Sequence, residues 1–336
     1  MTRPALFAGF DAHWVERPLE LAADRLGFTL TPYPGDASAV LCLHEQAASA
    51  VAGLTLQRGK PFGQHALCVL RDRIMQAQLG IPLLPTLIPH HPADVHEFFG
   101  RFGKIFIKRR MTLTKIDQLS YRSFESEEEF FKIIPADFWA EQASPSSACG
   151  EYVIQPYLGH PFRYVDVSVS IGPDGHAWCH GTWRMEDVEP NQVNRMVLVP
   201  PITHIENLVQ SVADTLELGP GMHCVQFANF NDQWCLLDWN PRIGEPERET
   251  LLRHSTFFDP ALQHMLGIPV SSKPPQYIEC RGFWENPFGL DEDKWLIENG
   301  LMPYQWRGVI PRVFVAGDTQ DEVNQKFEAL DWCRRH

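Results

Sequence analysis

The sequence predicts a mixed α/β protein, with α/β order in its N-terminal part and α+β order in its second half. Residues 5–43 alternate strand-like and helix-like patterns, which favours a parallel sheet with helices packed on it. Residues 162–184 and 224–239 instead contain pairs of β-rich runs joined by short turn sequences, which is typical of antiparallel hairpins. These observations predict two different layers within one chain.

The N-terminal layer is predicted from three short apolar runs and one amphipathic segment. Strands are predicted over 5–10, 28–33 and 38–43, and a helix over 17–26. The sequence Pro34-Gly35-Asp36 predicts the turn before the third strand. No GxGxxG sequence occurs in this layer, so the dinucleotide-binding fingerprint is absent.

The next segment is predicted to be mostly helical. Its predicted elements are helices over 72–79, 92–101 and 127–134 and a strand over 104–110. The first of these helices begins near Asp72 and ends at Gly80, and the second has Pro92 in its first turn. Residues 136–150 are rich in Ala, Ser and Pro and predict a loose connection.

The second half is predicted to consist mainly of strands. A strand over 151–158 breaks at Pro156, and Pro173-Asp174-Gly175 predicts a hairpin turn. The remaining predicted elements are strands over 162–171, 176–184, 224–230 and 234–239, a helix over 204–217, and a final strand and helix within 309–333.

Composition and charge exclude several classes of protein. The formal net charge of −13 argues against general nucleic-acid binding, which requires a basic face. No run approaches the apolar length of a membrane span, and the N-terminal apolar stretch is too short for a signal peptide. The eight cysteines form no CxxC pair, which favours free thiols in a reducing compartment. We therefore expect a cytoplasmic protein that binds neither nucleic acid nor membranes.

The second hairpin carries side chains that can bind a cation. Gln226 and Asp238 are twelve residues apart, which suits opposed positions on a short antiparallel pair, and Asn240 and Arg242 follow. A carboxylate, two amide oxygens and an arginine at one strand end predict a hard-cation site beside an anion site, with Mg²⁺ as the expected occupant. The alternative is an ordinary hairpin, since Asp and Asn also suit turns.

A basic cluster follows the predicted strand over 104–110. Lys108 lies at the end of that strand, and Arg109, Arg110 and Lys115 follow it. A solvated rim is one interpretation. A phosphate contact is the other, because a lysine ammonium acts as a point charge toward phosphate oxygens.

Four segments, in this order, resemble the ATP-grasp superfamily of ligases. They are Asp72-Arg73 with Gly80-Ile81-Pro82 and Pro85, the strand ending at Lys108, the hinge-like Gln155-Pro156-Tyr157-Leu158-Gly159, and Gln226 with Asp238-Trp239-Asn240-Pro241-Arg242. The resemblance implies an ATP-grasp fold with a small N-terminal α/β (pre-ATP-grasp) domain, a lid subdomain and a C-terminal antiparallel-sheet subdomain. The implied domains are 1–69, then 70–265 with the lid at about 103–157, then a C-terminal extension over 266–336.

The resemblance also implies a role for each candidate residue. Arg73 and Lys108 would hold the phosphates of ATP. Adenine would contact the side chain of Gln155 and the backbone of Tyr157 and Leu158. The metal ligands would be Asp238, Asn240 and Gln226, and the acyl phosphate would face Arg242.

Two further arginines are predicted at strand ends that line the same cleft. Arg163 is assigned to the nucleotide and Arg184 to the reacting groups, because the guanidinium fork matches carboxylate and phosphate. The alternative for both is a surface ladder of charges on a hairpin.

The sequence departs from the family pattern at several positions. Gln226 stands where the family has an acid, which weakens the expected metal affinity, and Arg73 stands where it has lysine. The loop after Lys108 contains no glycine, so side chains are predicted to contact the phosphates instead of backbone N–H groups. These side chains are Arg109, Arg110, Thr112, Thr114 and Lys115. Phe162 occupies the position that usually holds the ribose.

The resemblance predicts an ATP- and Mg²⁺-dependent ligase that activates a carboxylate as an acyl phosphate and joins it to an amine. One alternative is a bicarbonate-using carboxylase of the same fold, which the C-terminal strand and helix faintly resemble. Another is a nucleotide-binding protein with degraded catalysis, motivated by Gln226 and the missing glycines. The expected partners are small-molecule or peptide substrates, and a homodimer is the base-rate expectation for quaternary state.

Overall fold

The computed structural model describes most of the chain. The described residues are 3–9, 16–57, 60–111, 119, 122–143, 152–159, 164–186, 195–244, 247, 255–270, 277–282, 302–304 and 312–335.

The N-terminal layer is parallel, as predicted. Its elements are β1 (Ala5–Ala8), α1 (Glu16–Leu26), β2 (Thr29–Leu30), β3 (Ala39–Leu41) and α2 (Glu45–Val51). β1 lies in the middle and pairs in parallel with both β2 and β3. Leu6 and Leu19 are fully buried, and they pack with Phe258 in one cluster that joins this layer to a later helix.

The predicted helix over 72–79 is wrong in its position. The α-helix α3 (Gln64–Arg71) ends at Asp72, and only a 3₁₀ helix (Met75–Leu79) follows it. Asp72 ends the helix because its carboxylate accepts hydrogen bonds from the backbone N–H groups of Ile74 and Met75. Gly80 does end the segment, with a φ of 67° that favours glycine.

A separate three-stranded antiparallel sheet forms the middle of the chain. Its elements are α4 (Pro92–Phe102), β4 (Ile105–Arg109), β5 (Arg122–Phe124), α5 (Glu127–Ile133), α6 (Phe138–Gln142) and β6 (Tyr152–Pro156). β4 lies between β5 and β6. Sequence analysis missed α6 in the segment predicted to be loose. Fully buried Phe138 packs there against Phe130, which outweighs the low helix propensity of the surrounding residues.

The main sheet carries the predicted hairpins. Its central elements are β7 (Tyr164–Ile171), β8 (Ala177–Glu186), β9 (Arg195–Val199), α7 (Thr203–Thr215), β10 (Gly221–Phe230), β11 (Gln233–Asn240) and α8 (Ser255–Leu266). β10 is antiparallel to both β7 and β11. It is also parallel to β3 through the pair Gly221–Val40, so the N-terminal layer and the antiparallel strands form one sheet.

The C-terminal elements extend this sheet at its other edge. They are β12 (Tyr277–Gly282), β13 (Met302–Tyr304), β14 (Arg312–Gly317) and α9 (Gln320–Arg335). The strand order from this edge is β13-β14-β12-β9-β8-β7-β10-β3-β1-β2. The predicted final strand and helix are confirmed. Within the described ranges, no helix has the length and apolarity that a membrane span requires.

The predicted domain boundaries stay predictions. The boundary at residues 69 and 70 falls inside α3, and the sheet crosses the limits of all three predicted domains.

Candidate functional site

The β10–β11 hairpin places Gln226 directly opposite Asp238, as the spacing of the two residues predicts. Asn231 and Asp232 form the turn, with φ angles of 51° and 62° that Asn and Asp tolerate better than most residues. The register shifts by one residue immediately after Gln226. This bulge puts Asp238 rather than Leu237 on the same face as Gln226.

Asp238 forms a buried ion pair with Arg73. Nη2 of Arg73 lies 3.1 Å from Oδ2 of Asp238, and the two side chains are 2% and 11% exposed. The other terminal nitrogen of Arg73 donates to the backbone carbonyls of Arg109 and Arg110, at 3.0 and 3.2 Å. Arg73 therefore ties the segment after α3 to both β4 and β11.

Lys108 is buried beside this ion pair. Its Nζ donates to the carbonyl oxygen of Leu237 at 3.3 Å. Burial and then repulsion from Arg73 hold the pKa of Lys108 well below its usual range, and Asp238 partly opposes this. Two cations facing one carboxylate leave an excess of positive charge, which suits an anionic ligand.

A second ion pair supports the backbone that Arg73 binds. Arg110 forms a two-pronged contact with Asp72, with Nε–Oδ1 at 2.8 Å and Nη2–Oδ2 at 2.7 Å. The sequence indicates Asp72 only as part of a motif, and it leaves a solvated rim and a phosphate contact open for Arg110. The structure places Arg110 on Asp72, where it fixes the carbonyl groups that hold Arg73.

The predicted metal ligands lie close together, and the atoms with which they can ligate a cation are oxygens. Asn240 is 3% exposed, and its Oδ1 has no hydrogen-bond partner in the described part of the chain. With the Asp238 carboxylate and the half-buried Gln226, this donor set fits a hard cation such as Mg²⁺. No group of three or more His, Cys, Asp or Glu that could hold a metal occurs among the described residues. The fit therefore depends on the two amide oxygens.

Asp238 and Gln226 lie in one row of side chains that runs across neighbouring strands, and Asp166 is the next member of this row. It lies directly opposite Gln226 on β7 and is 5% exposed. Burial, and then the nearby carboxylate of Glu247, raise the pKa of Asp166 to about 7. Glu247 is itself buried, and burial is the main cause that raises its pKa. Sequence analysis missed both acids, since only the pairing of β7 with β10 brings Asp166 to the site.

Arg242 is held by a glutamate from the N-terminal layer. Its Nε donates to Oε1 of Glu45 at 2.9 Å, and the side chain is 26% exposed. The other oxygen of Glu45 accepts from buried Arg71 at 3.0 Å. Glu45 thus bridges two arginines, and its position just after a short strand gave no signal of this role in the sequence.

The predicted hinge residues lie at the end of β6. The Nε2 of Gln155 donates to Oγ1 of Thr86 at 2.8 Å, and the N–H of Tyr157 donates to the carbonyl of Lys104 at 3.1 Å. Leu158 is half-buried against a cluster on the main sheet. The hinge therefore connects the small sheet to the main sheet, and its contact with adenine stays a prediction.

The structure does not bring every predicted residue to this site. Arg184 is exposed on β8 opposite Val165, and strand alternation places it on the other face of the sheet from Gln226. Arg163 and Phe162 lie outside the described residues, as do the predicted phosphate contacts Thr112, Thr114 and Lys115.

The chain resembles several solved structures over almost its full length. The N5-carboxyaminoimidazole ribonucleotide synthetase of Thermus thermophilus is 16% identical, with a TM-score of 0.66 over 97% of both chains. The Staphylococcus aureus enzyme complexed with ADP is 12% identical, with a TM-score of 0.66 over 99% of this chain and 97% of that one. The Aspergillus clavatus enzyme, in complex with ADP and 5-aminoimidazole ribonucleotide, is 13% identical, with a TM-score of 0.61 over 99% of both chains.

No protein-family model and no curated protein matches the sequence. The structural similarity extends over both sheets and the C-terminal strands, at sequence identities that show the fold alone. The predicted fold class is confirmed: the chain has the ATP-grasp fold.

Proposed function

We propose that this protein is an ATP- and Mg²⁺-dependent ligase that activates a carboxylate as an acyl phosphate and joins it to an amine, with release of ADP and phosphate. The observation that carries the proposal is the convergence of Arg73, Lys108, Asp238 and Asn240 within an ATP-grasp fold. These residues come from three distant segments, and each matches a position that the family resemblance assigns to nucleotide or metal.

The buried charges support phosphate binding at this point. Arg73 and Lys108 are both desolvated, and they share the carboxylate of Asp238 as a counter-ion. Phosphate oxygens would supply further negative charge and would release Asp238 from Arg73. Buried cations that are held in place before the ligand arrives stabilise transferring phosphoryl groups most effectively.

Mg²⁺ would be held by Asp238, Asn240 and Gln226, and would neutralise charge on the phosphate oxygens. The orphaned Oδ1 of Asn240 supports this assignment, because a buried acceptor without a partner is costly unless a ligand satisfies it. The Asp238 carboxylate would be shared between Arg73 and the metal, so nucleotide and metal binding would be coupled.

Arg242 would bind the reacting carboxylate or acyl phosphate. The carboxylate of Glu45 accepts from the Nε of Arg242 and so fixes one side of the guanidinium group. A fixed fork of N–H donors suits an anion with two or three oxygens. Arg184 would contribute only from the opposite sheet face, so we give it no role in the chemical step.

The test is ADP formation from Mg-ATP against a panel of carboxylates and amines, singly and in pairs. Asp238→Asn is the informative variant, and Asp232→Asn is its matched control, because it makes the same change at the exposed turn of the same hairpin. Turnover stimulated by a pair, kept in Asp232→Asn and lost in Asp238→Asn, supports the ligase. Release of AMP instead of ADP would contradict it.

A bicarbonate-using carboxylase is the second candidate. The synthetases with this fold are named for N5-carboxyaminoimidazole ribonucleotide, and the similarity includes the C-terminal strands and helix. Bicarbonate would then take the place of the carboxylate in the same chemistry. ADP formation that requires both bicarbonate and 5-aminoimidazole ribonucleotide would favour this candidate over an amino-acid ligase.

A nucleotide-binding protein with degraded catalysis is the third candidate, and Gln226 favours it because it removes a charge from the metal site. Tight ADP binding without any substrate-stimulated turnover would identify this function.

A further inference from the structure

Gln226 lies between two carboxylates on one face of the main sheet. It is directly opposite Asp166 on β7 and directly opposite Asp238 on β11. Side chains in opposed positions on neighbouring strands have Cβ atoms about 5 Å apart, so a carboxamide there can reach either neighbour. Both acids are buried, with Asp166 5% and Asp238 8% exposed as whole residues, whereas Gln226 is half-buried. The amide is therefore the member of this row that extends farthest toward solvent.

The two ends of the Gln226 carboxamide have opposite hydrogen-bonding chemistry. The nitrogen only donates and the oxygen only accepts, whereas an ionised carboxylate only accepts. The Gln226 side chain faces the Asp166 carboxylate and opposes the rise in its pKa, as a nearby hydrogen-bond donor does. An ionised Asp166 can only accept, so it would draw the amide nitrogen toward β7, and the oxygen would then face the β11 side of the row.

The two carboxylates differ in how well they are already satisfied. Asp238 accepts from Arg73 at 3.1 Å and from the backbone N–H of Trp239 at 3.1 Å. Oδ1 of Asp166 is buried and has no hydrogen-bond partner in the part of the chain that the structure describes. On the side away from Gln226, Asp166 lies opposite fully buried Trp183 on β8. Asp166 is thus the acceptor with the greater need of the amide N–H groups.

We propose that Asp166 is a positioning residue, which fixes the carboxamide of Gln226 with its oxygen toward Asp238 and Asn240 so that a neutral side chain can serve at the cation site. This inference rests on the proposed Mg-nucleotide function. Without Asp166, the amide nitrogen would turn to the Asp238 carboxylate and would present a donor where the cation needs an acceptor. Only the fraction of molecules with the oxygen inward would then bind metal.

The test is a double-mutant cycle read out by Mn²⁺ affinity in the presence of ADP, measured by calorimetry at pH 8. The four proteins are wild type, Asp166→Ala, Gln226→Ala and the double variant, and thermal melts establish that each folds. We expect Asp166→Ala to weaken Mn²⁺ binding about fivefold to tenfold in the wild-type background, and to change it less than about twofold in the Gln226→Ala background. Asp166→Asn keeps the side-chain volume and an acceptor oxygen, so its loss should be smaller than that of Asp166→Ala.

Three results would overturn the inference. Equal losses in both backgrounds, or equal losses in Asp166→Asn and Asp166→Ala, would mean that Asp166 acts through its own charge. Unchanged Mn²⁺ affinity with a lowered melting temperature would mean that Asp166 is only structural. The third result is an absence of Mn²⁺ binding to the wild-type protein with ADP. It would overturn the proposed function together with the inference, whereas the first two results would overturn the inference alone.

Discussion

Asp238→Asn removes the carboxylate that faces Arg73 and Lys108 while keeping almost the same side-chain volume. Arg73 and Asp238 form their contact at 3.1 Å with side chains only 2% and 11% exposed. Removing one partner of a buried pair costs about 3–5 kcal/mol, because the remaining charge is desolvated without compensation. Lys108 loses the same neighbour, which places the expected cost toward the upper part of this range. At about 2 °C per kcal/mol, the melting temperature should fall by roughly 6–10 °C.

The informative measurement is the melting temperature with and without ADP in the absence of metal. The phosphates of ADP can replace the lost negative charge, so ADP should raise the melting temperature of Asp238→Asn more than that of the wild type. Asp232→Asn, at the exposed turn, should behave like the wild type in both conditions. An equal ADP shift in Asp238→Asn and wild type would refute the reasoning, because it would show that the phosphates do not meet Arg73 and Lys108.

Three further predictions follow from other buried charges. Lys108→Met should raise the free energy of unfolding of the ligand-free protein by about 1–2 kcal/mol at pH 7, measured by urea melts. The reason is that burial depresses the pKa of Lys108, so below pH 10.5 the lysine is more easily protonated in the unfolded chain than in the native protein. The same variant should abolish ADP binding. Glu45→Gln should lower the free energy of unfolding by about 2–3 kcal/mol, since it weakens the charge-assisted hydrogen bonds that Arg71 and Arg242 donate to residue 45. It should also raise the KM for the carboxylate more than it lowers kcat. An unchanged KM would contradict this. Burial lowers the pKa of His180 to about 3, so the unfolded chain binds a proton at pH 4–6 that the native protein does not, and the free energy of unfolding falls on acidification. His180→Phe should reduce the slope of the free energy of unfolding against pH in that window by about 1.4 kcal/mol per pH unit. An unchanged slope would contradict this assignment.

Local sequence patterns predicted much of the candidate site. The turn residues Asn231 and Asp232 and the spacing of Gln226 and Asp238 depend only on neighbouring residues, and the register confirms their pairing. Lys108 was placed correctly at the end of its strand for the same reason. Its burial was not predictable, because its side chain reaches the carbonyl oxygen of Leu237, which is 129 residues away in the chain.

The two ion pairs of the site that the sequence does not predict join distant parts of the chain. Arg73 and Asp238 are 165 residues apart, and Glu45 and Arg242 are 197 residues apart. A charged residue alone does not indicate which partner it will have after folding. The helix predicted over 72–79 is wrong for a local reason. The side chain of Asp72 accepts from the N–H groups of Ile74 and Met75, which a propensity pattern does not capture.

The pairing of β3 with β10 has a consequence for how the chain reaches its native state. Val40 and Gly221 are adjacent in the sheet although 181 residues separate them (221 − 40 = 181). At a synthesis rate of about 5–20 residues per second, β3 waits roughly 10–40 s on the ribosome for its second neighbour. During that time its outer N–H and C=O groups form an open edge that another strand can join. Completion of the sheet therefore comes late in synthesis. A chain that stops before residue 221 would carry an unprotected edge on an N-terminal layer that also lacks its packing against α8.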